Sequence, residues 1–278
     1  MTQPMKRHAS LAALLLGVAL LSSCGDTALQ QITGPVSASA IKFFNFGVGA
    51  PGVNFYANST KVTAIGSTNC ATPPLSAACT TTGVEATTGV VYGAVGAGGL
   101  YTGIEPGQYT LTGRIAAATD KDLAIATVPL AIQTGKNYSF YLSGFYITAT
   151  KVVDAFVVED NFAEPTDFTV ATVRFVNAIS NANPMTLYGK NALTTAPEIA
   201  IGGEIAYKGA GAFTTVPAGV YDLSTRYAGA TTNALTRPTV LFAGGRVYTI
   251  TARGDITSVP STACAPTNRT CLDNTTNR

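Results

Sequence analysis

From about residue 40 onward, apolar and polar residues alternate in short segments, and Gly, Pro, Asn and Thr separate one segment from the next. A period of two is the signature of an extended chain, whose successive side chains point to opposite faces. Tyr109, Leu111, Gly113 and Ile115 fall on one face of such a segment, and Thr110, Thr112 and Arg114 on the other. Tyr221, Leu223, Thr225 and Tyr227 alternate in the same way with Asp222, Ser224 and Arg226. Two further inward faces are Tyr138, Phe140, Leu142 and Tyr248, Ile250, Ala252. Helical periodicity is nearly absent after Cys24, so the pattern predicts an all-β chain. Sheets with one apolar and one wet face pack in pairs, which predicts sandwiches.

The pattern occurs twice. Ile41, Lys42, Phe43, Phe44, Asn45 correspond to Val173, Arg174, Phe175, Val176, Asn177, and a Tyr follows each Asn by eleven residues, Tyr56 and Tyr188. Tyr101 and Phe213 each precede Tyr109 and Tyr221 by eight residues, and the turns Glu105-Pro106-Gly107 and Pro217-Ala218-Gly219 lie between. Gly135-Lys136-Asn137-Tyr138 then pairs with Gly245-Arg246-Val247-Tyr248, and Gly144 with Gly254. Gly107 and Gly219 are expected to supply a positive φ at the turn into the following strand. From Asn45 to Tyr109 is 64 residues and from Asn177 to Tyr221 is 44, so copy one carries 20 more, in a Thr-, Ala- and Pro-rich insertion holding Cys70 and Cys79.

The order Val173-Arg174-Phe175-Val176-Asn177-Ala178, Tyr188, Val216-Pro217-Ala218-Gly219-Val220-Tyr221 resembles the bacterial family of domain of unknown function 4397. The resemblance implies immunoglobulin-like β-sandwich modules of exported proteins, often in tandem, and no established activity. Two tandem immunoglobulin-like antiparallel β-sandwich domains are therefore expected, at 40–159 and 169–256. An acidic linker, 160–168, is expected between them, and a polar tail, 257–278, after them.

Lys6 and Arg7 precede an apolar run from Leu11 to Leu21, the layout of a secretory signal and too short to span a membrane. The quartet Leu21-Ser22-Ser23-Cys24 resembles the lipobox of bacterial lipoproteins. That resemblance implies a signal peptide at 1–23, a lipid on Cys24 and a polar tether over 24–39. Gly25 after Cys24 leans toward the outer membrane or cell surface over the inner membrane. Export permits disulfides, and four cysteines remain, Cys70, Cys79, Cys264 and Cys271. Three connectivities are open. The local one, Cys70 with Cys79 and Cys264 with Cys271, is expected over zinc, whose ligand pairs are usually spaced more closely than these.

Composition narrows the chemistry further. Charged residues make up 12% of the chain, and 17 Lys and Arg stand against 15 Asp and Glu, so no basic footprint for nucleic acid is present. The single His is His8, in the signal segment, which removes imidazole chemistry from the mature chain. Gly47, Gly49 and Gly52 satisfy a dinucleotide-loop spacing, but Pro51 and the alternation of Val53, Asn54, Phe55, Tyr56 predict a strand where such a loop needs a helix. No nucleotide, cofactor or metal is therefore expected. Asp120 with Asp122, and Glu159 with Asp160, offer too few oxygens for calcium and read as a charged turn and a solvated linker. Tyr56 and Tyr188 fall on the polar side of their strands and could form an exposed aromatic surface for a glycan or a protein. The expectation is a lipid-anchored extracytoplasmic structural or binding module, without catalysis, that meets an envelope protein or glycan. The alternative is a His-free carboxylate-dependent or calcium-dependent hydrolase.

Overall fold

The computed structural model describes residues 39–63, 88–258, 264 and 270–278. The first copy contributes nine strands: β1 Ser39–Asn45, β2 Val53–Ala57, β3 Thr60–Lys61, β4 Ala94–Val95, β5 Thr102–Ile104, β6 Gly107–Ile115, β7 Ala124–Ile132, β8 Asn137–Ile147 and β9 Val152–Glu159. The second contributes eight: β10 Val170–Asn177, β11 Met185–Asn191, β12 Ile199–Ile205, β13 Thr214–Pro217, β14 Gly219–Tyr227, β15 Leu235–Phe242, β16 Val247–Arg253 and β17 Cys271–Thr276.

Each copy is a two-sheet sandwich. In the first, β4-β1-β8-β9, with β5 also on β1, faces β3-β2-β6-β7; in the second, β13-β10-β16-β17 faces β12-β11-β14-β15. The repeat is kept to the residue. β1 runs parallel to β8 with Ile41 opposite Tyr138 and Phe43 opposite Phe140, and β10 runs parallel to β16 with Val173 opposite Tyr248 and Phe175 opposite Ile250. These two parallel pairings stand within the antiparallel sandwiches expected; the other ladders among the described residues are antiparallel.

The inward faces fall where alternation places them. Ile41, Phe43, Phe55, Leu111, Ile115, Phe140 and Leu142 close the first core, and Val173, Phe175, Leu187, Tyr221, Leu223, Ile250 and Ala252 the second. Pro129 and Pro238 sit in the edge strands β7 and β15, where a missing N–H costs no ladder bond and discourages further pairing.

Gly107 and Gly219 do not play the turn role expected of them. The φ of Gly107 is 158°, close to extended, and Gly219 is not among the positive-φ residues. A Cβ on Gly219 would lie 2.7 Å from Asn191 Nδ2, so a larger residue there would have to displace that side chain. The left-handed turns are instead at Gly135 and Gly245, with φ of 73° and 70°, which feed β8 and β16.

Two stretches differ from the sequence expectation. Within the polar tail, β17 pairs with β16 from Arg253–Cys271 to Tyr248–Thr276 and puts Leu272 in the second core. Within the linker, Asp160 is buried. A third core lies between the copies, made of Phe44, Phe46, Tyr141, Phe156, Val176 and Ala178. Tyr141 stacks between Phe44 and Phe156, with ring centroids 4.4 and 5.0 Å away. The faces of β1, β8, β10 and β16 that alternation leaves for water are thus covered by the other copy, and the described residues of both copies belong to one compact unit.

Candidate functional site

Two surfaces concentrate chemistry: the outer face of each sandwich, and the junction between the copies. On the outer faces, Tyr56 and Tyr188 are half-buried. Asn54 is opposite Arg114 and Thr186 opposite Arg226, so in both copies an Arg on the neighbouring strand reaches diagonally over the ring. Its guanidinium carbon lies 4.2 Å from the Tyr56 centroid and 4.4 Å from that of Tyr188. The open aromatic surface expected at these positions is therefore a Tyr–Arg pair with one ring face occupied.

The pairs are anchored differently. Arg226 forms a two-pronged pair with Glu198, at 2.6 and 2.7 Å, and its Nε donates to Asn233 Oδ1 at 2.8 Å. The guanidinium holds the Glu198 carboxyl below its usual range. A groove of about 320 Å³ opens alongside, lined by Lys190, Glu198, Asp222, Ser224, Asn233 and Thr236. In the first copy, Arg114 donates to Asn58 O at 3.0 Å and Thr112 Oγ1 at 3.1 Å, and the Tyr56 hydroxyl donates to Asp122 at 3.3 Å.

At the junction, each copy sends a buried cation from its first strand to the end of the other copy's last strand. Arg174 NH1 donates to Glu159 O at 2.9 Å, and Lys42 Nζ donates to Thr276 O. Each cation also lies over an aromatic ring of its own copy, Arg174 over Phe213 at 4.7 Å and Lys42 over Tyr101 at 4.4 Å. These are the repeat-matched residues, so the junction has an internal pseudo-twofold. Arg174 pairs with Asp160, which also accepts from Ser139 and from the Tyr101 hydroxyl. Arg253 pairs with Asp273 and lies over Tyr92 and Phe46, at 4.9 and 5.4 Å. Burial holds Lys42 down to about 8 and pushes Tyr141 up to about 12. Burial, then the Asp160 charge, raises the Tyr101 hydroxyl as well.

Residues 171–275 match the family model for a domain of unknown function, DUF4397. No curated protein matches the chain. The DUF4397 match runs from β10 into β17, and so includes the last strand with its partner Arg253.

Cys264 and Cys271 of the chain form the local disulfide expected, with Cys271 buried at the start of β17. Asp273 lies within 4.8 Å of both sulfurs, a group of metal-ligand type, but the sulfurs are joined to each other. Cys24, Cys70 and Cys79 lie outside the described residues. Of the carboxylates considered for calcium, Asp120 pairs with Lys151, Asp122 accepts from Tyr56, Glu159 pairs with Lys136 and Asp160 with Arg174. The solvated linker expected around Asp160 is corrected accordingly: its carboxylate is buried because a buried guanidinium needs it. β2 starts at Val53, directly after the third glycine of Gly47, Gly49 and Gly52. Sequence reasoning missed Lys42 and Arg174 as junction residues. The signal was available: each is a charge flanked by apolar residues inside a strand, at the same place in both copies.

Proposed function

We propose that the protein is a lipid-anchored, extracytoplasmic binding module, held at the outer membrane or cell surface through Cys24, that recognises an envelope glycan through the outer face of its second sandwich. The observation that carries this reading is the repeated Tyr–Arg pair, which in the second copy borders a groove rich in fixed donors and acceptors. Sugars suit such a face: an aromatic ring takes their C–H surface, and rigid carboxylate, amide and guanidinium groups order their hydroxyls. Held by Glu198 and Asn233, Arg226 loses little freedom on binding.

Catalysis has less support. Asp120, Glu159 and Asp160 are already joined to Lys or Arg of the same chain, and Asp122 accepts from Tyr56; Asp154 is likewise joined to Lys208 and Glu164 to Arg278. The test is a glycan array probed with the soluble chain from Gly25 onward. Arg226→Ala and Tyr188→Ala, both half-buried on the outer face, should each weaken the captured signal at least tenfold while leaving the melting temperature within a few degrees. Binding that survives both substitutions, or no captured glycan at all, overturns the reading. For the anchor, Cys24→Ala should release the protein from the membrane fraction, and the wild-type N-terminus should carry acyl chains by mass spectrometry.

A further inference from the structure

The pseudo-twofold of the junction creates two matching clefts. One, of about 740 Å³, is lined by Val158, Glu159, Arg174 and the stretch Ala210 to Phe213, among others. The other, of about 500 Å³, is lined at the matching places by Thr275, Thr276, Lys42 and the stretch Gly98 to Tyr101. Register makes the equivalence exact enough to compare residue with residue. Glu159 is opposite Tyr138 and Thr276 opposite Tyr248; Asp160 N donates to Asn137 O and Asn277 N to Val247 O, both at 2.7 Å. Asn277 is thus the counterpart of Asp160, Thr276 of Glu159, and Arg246 of Lys136.

At the first cleft, where Glu159 and Arg174 line the wall, the cations at these two positions have their carboxylates. Lys136 pairs with Glu159, and Arg174 with Asp160. In the second, the cations are retained as Arg246 and Lys42, while the two carboxylates are replaced by Thr276 and Asn277. Arg246 is exposed and Lys42 is 2% exposed, and neither makes an ion pair among the described residues. Lys42 answers its burial with one carbonyl, one ring and the Asp160 charge, which is already bonded to Arg174. Arg278 also lines the cleft, with its guanidinium paired to Glu164 outside it, and no carboxylate side chain is part of the lining. Along the floor, Gly98 and Gly99 are left-handed, and a Cβ on either would meet nothing within 4 Å. Bare backbone and uncompensated cations are the two elements of an oxyanion site.

We propose that the cleft between the Gly96–Gly99 loop and the end of β17 binds a phosphate group carried on a small polar molecule or a lipid headgroup, with Arg246 and Lys42 as its cations. The anion takes the place that Glu159 and Asp160 fill in the matching cleft. This site is separate from the Tyr188 face, so either can fail without the other.

Inorganic phosphate, titrated into the full soluble chain at pH 7 and constant ionic strength against chloride, tests it by calorimetry and by ³¹P line width. Saturable binding is expected in the wild type and in Tyr188→Ala. It should weaken at least tenfold in Arg246→Gln, which is exposed and does not threaten the fold, and in Lys42→Met. Lys136→Gln, the same substitution at the matched position, should bind like the wild type. Glucose 6-phosphate in competition, and flotation with phosphatidylglycerol vesicles against phosphatidylcholine vesicles, separate a soluble ester from a headgroup. Phosphate behaving as chloride does, or Arg246→Gln binding as tightly as the wild type, overturns the proposal.

Discussion

Arg174 and Lys42 occupy the same position in the two copies, yet only Arg174 is taken out of water together with a carboxylate. Removing one member of a buried pair strands the other, and that is where most of the cost arises. Arg174→Met should therefore destabilise by about 3 to 5 kcal/mol, and adding Asp160→Asn should recover part of it, since the second change removes the stranded charge. Urea unfolding of the three variants measures both steps; a double variant no more stable than Arg174→Met contradicts the argument. Lys42 gives a pH signature instead. Burial holds it down to about 8, from an ordinary 10.5, with Asp160 opposing the shift and Arg174 adding to it. Between those two values the unfolded chain holds a proton that the folded chain has released, so stability rises with pH across that window. The Tyr101 and Tyr141 hydroxyls act in the opposite sense above about pH 10, because the unfolded tyrosines ionise first. Unfolding free energy should therefore climb from about pH 8, turn over near pH 10, and lose its rising limb in Lys42→Met.

At the scale of the strand, β17 carries more than its six residues suggest. It places Leu272 in the second core, Asp273 beside Arg253, and Thr276 O under Lys42. A chain ending at Ser258 should lose cooperative melting and its near-ultraviolet circular dichroism, whereas Cys264→Ser with Cys271→Ser keeps the strand and should cost about 2 kcal/mol, the loop-closure value for so short a ring. A truncated chain that melts as the full one does removes β17 from the fold's essential parts. The strand was hard to read in advance because Cys271-Leu272-Asp273-Asn274-Thr275-Thr276 offers a single large apolar residue to the period-two pattern. The longer strands were legible for the opposite reason: Phe43, Phe140 and Ile250 recur in phase with Ile41, Leu142 and Tyr248. Outer-face placement of Tyr188 and Arg226 was also legible from alternation. What was not legible is anything that depends on which sheet meets which. The burial of Ser139, Tyr141, Thr249 and Thr251 on the second face of β8 and β16 requires the other copy, and no local pattern records it.

The two copies pack as an internal dimer, with Tyr141, Phe44 and Phe156 from one side meeting Val176 and Ala178 from the other. A tandem of independent domains would show a junction that is polar and loosely held. Here it is apolar at its centre and flanked by buried cations that cross from each copy to the other. Two consequences can be measured. Thermal unfolding of the wild type should follow one transition, because neither copy keeps its buried face when the other unfolds. With a specific protease site inserted between the exposed Ala163 and Thr166, at Pro165, cleavage should leave the two pieces eluting together on size exclusion. Val176→Glu separates this cause from damage to the individual cores, since Val176 faces the other copy while its neighbours Val173 and Phe175 serve the second sandwich. After cleavage that variant should elute as two species, each still β-rich by circular dichroism, because taking a carboxylate out of water into the apolar junction costs more than the packing there returns. Wild-type pieces that part on cleavage would show the linker, and not the third core, to be what holds the copies together.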